Sequence, residues 1–134
     1  MTPEDLAALH ARASASPWNA RSFASQLAQT GALYVHTHRA FAIGRAVLEE
    51  VELLQIATDP VYQKQGHGQH ILSAFEAQAK ALNCTRAFLE VAQGNASAIA
   101  LYTSAGWILD GQRKGYYRYA NGTREDALLL SKDL

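Results

Sequence analysis

The segment from Leu53 to Ala92 constrains the fold more than any other. It opens with "LLQIAT", a near-continuous apolar run of the kind carried by a strand buried on both faces. Asp59-Pro60 ends that run, since proline has no N–H to give to a ladder. The stretch "QKQGHGQ" then sets two glycines two residues apart. A helical stripe follows, through Ile71, Leu72, Phe75, Ala79 and Leu82. "RAFLEVA", from Arg86 to Ala92, is a second apolar strand. Strand, helix and strand in this order predict one parallel crossover.

The flanks predict hairpins and short helices. Thr2 caps a first helix, with Pro3 at its first position and Asp5 at capping-box spacing. Asn19 starts a second, and Trp18 with Phe23 has the spacing of a hydrophobic staple. Strand-like runs follow at Leu33–Arg39, Phe41–Leu48 and Val51–Thr58, close enough together for antiparallel pairing. After "RAFLEVA", Asn95 caps a helix that Gly106 stops. "WILDGQR", "GYYRY" and "DALLLSK" complete the sheet, with a turn at Asn121-Gly122. The expected class is α/β (α+β): a mixed, mostly antiparallel sheet of six to seven strands with flanking helices.

A chain of 134 residues fits one domain, 1–134, and buries a core without staples. Lys+Arg and Asp+Glu are 12 each, which gives no general basic surface for nucleic acid. No apolar run approaches the roughly 20 residues of a membrane span, and the first residues hold no signal core. The lone Cys84 has no disulfide partner, and the five histidines lack zinc spacing. These features predict a cytoplasmic monomer or weak dimer with no metal.

The glycine pair has two readings. One is a plain turn. The other is an anion site, because glycines let the backbone approach a ligand and helix-start N–H groups point outward with the dipole behind them. Lys64 adds a positive charge. The spacing fits neither a P-loop nor a dinucleotide fingerprint.

One strand later comes "NASAIALYTSAGW", from Asn95 to Trp107. "QKQGHG", "LEV" and this stretch together resemble the GCN5-related N-acetyltransferase (GNAT) family, which carries Q/R-x-x-G-x-G/A and then N-x-x-A-x-x-x-Y-x-x-x-G-F. Spacing and element order agree over about residues 50 to 110. Within the family, "IATDPVYQKQGHG", "FLEVAQGNASAIALY" and "GYYRYANGTREDALLL" are most similar to the RimI-type enzymes that acetylate the N-terminal alanine of a small-subunit ribosomal protein.

The resemblance implies the GNAT fold, with a splayed parallel strand pair, and acetyl-CoA as donor. It implies that Ile56, Ala57 and Thr58 flank the pantetheine arm, and that Gln63, Lys64, Gln65, Gly66, His67, Gly68 and Gln69 wrap the diphosphate. Asn95 is implied as a pantetheine ligand, with helix capping as its other role. Glu90 is implied as general base and Tyr102 as general acid. The plainer alternatives are a Glu90 paired with Arg86 or a lysine, and a Tyr102 that only fills the core. Tyr116 and Tyr117 match a tyrosine pair that lines the peptide groove, with a purely structural strand pair as their other reading; the acceptor that the resemblance implies is a protein or peptide N-terminus, possibly that of a ribosomal protein.

The sequence also departs from the family. His67 replaces an apolar residue, Gln65 a basic one, Gly115 an asparagine and Arg118 a proline. Two other functions remain open at this point: acetylation of a small amine, amino acid or antibiotic, and acyl-CoA binding without catalysis.

Overall fold

Capping fixes where the first elements begin. Thr2 and Asp5 exchange hydrogen bonds at 2.9 and 3.1 Å, which closes the expected box on α1 (Pro3–Ala13). Asn19 accepts from the Ser22 N–H at 2.9 Å to start α2 (Ala20–Leu27). Trp18 and Phe23 meet with ring centroids 5.3 Å apart, so the staple is formed.

The computed structural model describes residues 1–134. After α2 come β1 (Ala32–His36), β2 (Ala40–Val47), β3 (Glu50–Thr58), a 3-10 turn (Pro60–Tyr62) and α3 (His67–Ala81). Then follow β4 (Arg86–Ala92), α4 (Ala96–Ser104), β5 (Ile108–Arg118) and β6 (Arg124–Asp133). The six strands form one sheet in the order β1-β2-β3-β4-β6-β5. Only β3 and β4 are parallel.

Two sequence expectations need correction. "WILDGQR" and "GYYRY" are one strand, β5, broken in register but not in direction, so the sheet has six strands. Leu82 is 50% exposed. It is the C-cap of α3, and the chain turns away there through Asn83 at φ +66°.

The sheet separates two cores. Phe75, Leu72 and Ile71 of α3 pack with Val51, Leu53, Leu89 and Trp107 on one face. Leu6, Leu9 and Phe23 of the first two helices pack with Phe41 and Ile43 on the other. Trp107 Nε1 donates to Glu76 Oε2 at 3.2 Å, and Lys132 Nζ donates to Glu76 Oε1 at 2.6 Å. This buried set holds the end of α4 against α3 and β6.

Candidate active site

The parallel pair comes apart. β3 and β4 align at Glu50–Arg86, Val51–Ala87 and Glu52–Phe88, and no further. β3 nevertheless runs on to Thr58 and β4 to Ala92. At the parting point β3 carries one extra residue, since Leu53 pairs with Gly44 but Gln55 with Ile43. The bulge at Leu54 bends β3 away from its neighbour. The β3 edge beyond it faces a cavity of about 1160 Å³, lined by both strands, the glycine loop, α4 and the α1–α2 connection.

At one end lies the start of α3. Thr2, Asn19 and Asn95 cap the other three α-helices through their side chains. The N-cap of α3 is Gly66, in the left-handed region at φ +85°, and no side chain caps this helix. Its first N–H groups therefore have no partner within the helix or in a cap. A Cβ on Gly66 would meet nothing within 4 Å, so the loop is open at this point. Gln63 Nε2 donates to the Thr58 carbonyl at 3.2 Å and ties the loop to β3. Unpartnered amides, a positive dipole end and open approach fit a diphosphate.

Gln63, Lys64, Gly66, His67, Gly68 and Gln69 line the cavity, as do Ile56, Ala57 and Thr58. Gln65 does not; it lies exposed on the outer side of the loop. Asn95 lines the cavity and also caps α4, its Oδ1 accepting from the Ala98 N–H at 3.3 Å.

At the other end Glu90, Tyr102 and Tyr117 share the wall. Tyr102 is 5% exposed. Burial, and secondarily the nearby Tyr117, push its phenol well above the usual tyrosine range, so it keeps its proton at neutral pH. Burial and the charge of Glu90 raise Tyr117 as well. Glu90 points to the sheet face away from α3, where Arg113 Nη1 donates to its Oε1 at 2.8 Å. Arg86, the partner that the sequence offered, pairs instead with Glu50 at 2.8 Å and Asp110 at 3.0 Å. Burial and the charge of Glu90 raise the carboxyl of Glu52.

The family model described as "Acetyltransferase (GNAT) family" matches residues 6–107. This chain belongs to that family. The acetyltransferase is 39% identical over 129 residues to the [ribosomal protein bS18]-alanine N-acetyltransferase of Escherichia coli K12, covering 90% of this chain and 83% of the relative. Over 92 residues it is 38% identical to the enzyme of the same name from Haemophilus ducreyi, covering 69% of this chain and 63% of that one. The crystal structure of the ribosomal-protein-S18-alanine N-acetyltransferase from Escherichia coli superposes with a TM-score of 0.87 at 34% identity, covering 98% of this chain and 86% of that one.

The acetyltransferase takes its acetyl group from acetyl-CoA, and the opened strand pair with the uncapped α3 is the part of the molecule that suits this donor. The structure also brings forward residues that the sequence did not single out. Arg113 reaches Glu90 across β6, and its guanidinium lies 4.1 Å over the ring of Tyr116. Tyr116 is thereby held outside the cavity, 45% exposed, while Tyr117 faces in. His10 is 2% exposed, and its Nδ1 accepts from the Trp18 N–H at 2.9 Å. A histidine on the apolar face of α1 was the only trace of that anchor in the sequence.

Proposed function

We propose that this enzyme acetylates a protein N-terminal α-amine, with the N-terminal alanine of ribosomal protein bS18 as the acceptor. The supporting observation is one continuous cavity from the uncapped amides of α3 to the cluster of Glu90, Tyr102 and Tyr117. The names of the relatives at 39% and 38% identity support the acceptor.

Acetyl-CoA supplies an acetyl group already activated as a thioester. The N–H groups of His67, Gly68 and Gln69 hold the diphosphate, with Gln65 giving only its backbone and Lys64 its charge. Ile56, Ala57 and Thr58 present free strand edge to the pantetheine arm, as a sheet does to an added strand. Asn95 meets an amide of that arm. At the acceptor end, an α-amine of pKa about 7.7–8.0 is partly neutral near pH 7. Glu90 accepts the proton that the amine gives up as its nitrogen bonds to the acetyl carbon. Tyr102 gives its proton, or a hydrogen bond, to the sulfur as the carbon–sulfur bond breaks. Tyr117 forms the inner wall of the peptide groove, and Tyr116 under Arg113 the outer one. The enzyme acts in the cytoplasm as a monomer or weak dimer.

The test is thiol release from acetyl-CoA with three acceptors: an alanine-starting peptide, the same peptide with a blocked α-amine and an internal lysine, and a panel of small amines. Release with the first alone is expected. Release with small amines only would assign a different acceptor, and binding of CoA without release would leave a non-catalytic module.

A further inference from the structure

The β5–β6 hairpin borders the cavity beside Tyr117, and one carboxylate ties its side chains to the β4–α4 turn. Tyr117 and Glu125 stand opposite each other in the β5–β6 register. Tyr119, two residues on, is on the same face, and all three line the cavity. Glu125 Oε1 accepts from the Tyr119 hydroxyl at 2.5 Å. Its Oε2 accepts from the Gly94 N–H at 2.5 Å. Gly94 belongs to the turn between β4 and α4, beside Asn95. Both carboxylate oxygens are thus engaged by neutral donors, and Glu125 makes none of the five ion pairs of the chain.

The approach at Gly94 is close. A Cβ there would run into Glu125 Oε2 before any other atom. A side chain at position 94 would push the carboxylate off the Gly94 N–H. The next residue but one begins α4, the helix that carries Tyr102. The Gln93 N–H donates to the Asp126 carbonyl at 2.9 Å, and the Glu125 side chain adds the link that reaches Tyr119, next to the strand bearing Tyr117.

We propose that Glu125 is a positioning residue for the acceptor: through Tyr119 and the Gly94 N–H it locks the β5–β6 hairpin onto the β4–α4 turn and so fixes the width of the peptide groove beside Tyr117. This rests on the acceptor reading above. It predicts a larger effect on the acceptor than on the donor, since the carboxylate holds Tyr119 beside Tyr117, while on the donor side it touches only Gly94, the neighbour of Asn95. It also predicts a specific dependence between positions 94 and 125, because alanine at 94 is harmful only while the carboxylate is there.

The test uses Glu125→Ala, Glu125→Gln, Gly94→Ala and the double variant Gly94→Ala/Glu125→Ala. In steady-state kinetics with the alanine-starting peptide, Glu125→Ala raises the peptide KM about tenfold, with the acetyl-CoA KM and kcat each changed by no more than about threefold. Glu125→Gln, which keeps one acceptor oxygen, recovers part of the loss. Gly94→Ala matches Glu125→Ala, and the double variant is no worse than Glu125→Ala alone. Amide exchange at Gly94, measured on the free protein, needs no acceptor: protection is lost in Glu125→Ala. Gly94 equally protected in parent and Glu125→Ala, or additive losses in the double variant, would overturn the lock. A parent that ignores the peptide while Gly94 loses protection in Glu125→Ala would sink the acceptor reading and leave the lock standing.

Discussion

Arg113 Nη1 stands 2.8 Å from Glu90 Oε1, so the carboxylate at the acceptor end of the cavity is held by a guanidinium that is itself half exposed. A pair this open to water contributes about 0–1 kcal/mol to folding. Its value is in aiming Glu90. Arg113→Ala is expected to leave the melting temperature nearly unchanged while lowering kcat/KM for the peptide about tenfold. Glu90→Gln is expected to lower kcat about a hundredfold, within the range of a lost general base. If Arg113 acts through Glu90, the double variant loses no more than Glu90→Gln alone; additive losses would separate the two residues.

Tyr102 is protonated at neutral pH, as any tyrosine is, and burial penalises its phenolate further. Tyr102→Phe removes the hydroxyl and keeps the ring that packs 5.8 Å from Trp107. Turnover is expected to fall about a hundredfold, with the acetyl-CoA dissociation constant within about twofold by calorimetry. Turnover close to parent would return Tyr102 to a packing role.

Gly66 sits at φ +85° with open space where a Cβ would go. Gly66→Ala therefore meets no clash and costs only the left-handed backbone, about 1–2 kcal/mol. If the chain relaxes, the first amides of α3 move with it. The variant is expected to show a lower melting temperature and an acetyl-CoA KM raised about fivefold, with the peptide KM unchanged. A normal acetyl-CoA KM in a destabilised variant would detach the loop from donor binding.

His10 gives the fold a pH dependence. Burial lowers its pKa from the ordinary 6.5, opposed by the side chain of Gln55. Between the ordinary and the lowered value, the unfolded chain binds a proton that the folded chain does not. Stability from this residue is complete above about pH 6.5 and is lost as pH falls through that window, by at most about 1.4 kcal/mol per unit. The protonated ring would also turn a donor toward the Trp18 N–H that Nδ1 now accepts. Urea unfolding at pH 7.5 and pH 5.5 is expected to show a smaller loss in His10→Gln than in the parent. Equal losses would place the pH dependence elsewhere.

Local chemistry was legible in the sequence; long-range register was not. The Thr2–Asp5 box and the Trp18–Phe23 staple depend on residues within one helical turn, and both formed as expected. So did the parallel crossover, because an apolar run, a glycine pair and a 3.6-residue stripe leave little choice. The partner of Glu90 was not readable. It depends on β6 entering the sheet between β4 and β5, which lays Arg113 across from Glu90 on one face, while Arg86 pairs with Glu50 and Asp110. The hairpin shows the same limit. A two-residue turn at Asn121-Gly122 would set Tyr117 opposite Asp126. The structure bonds Tyr119 N–H to the Thr123 carbonyl at 3.0 Å, so the loop holds three residues and Glu125 takes that place. A slip of one residue exchanges the faces of Glu125 and Asp126.

The divergence of β3 from β4 after Glu52 leaves a vacancy the width of one chain in the middle of the sheet. Most proteins guard a bare strand edge at the rim; this one keeps it in the middle of the sheet, facing the cavity. Under the proposed donor mode, the arm of acetyl-CoA would be a removable seventh member, zipped in before each transfer and stripped out after it.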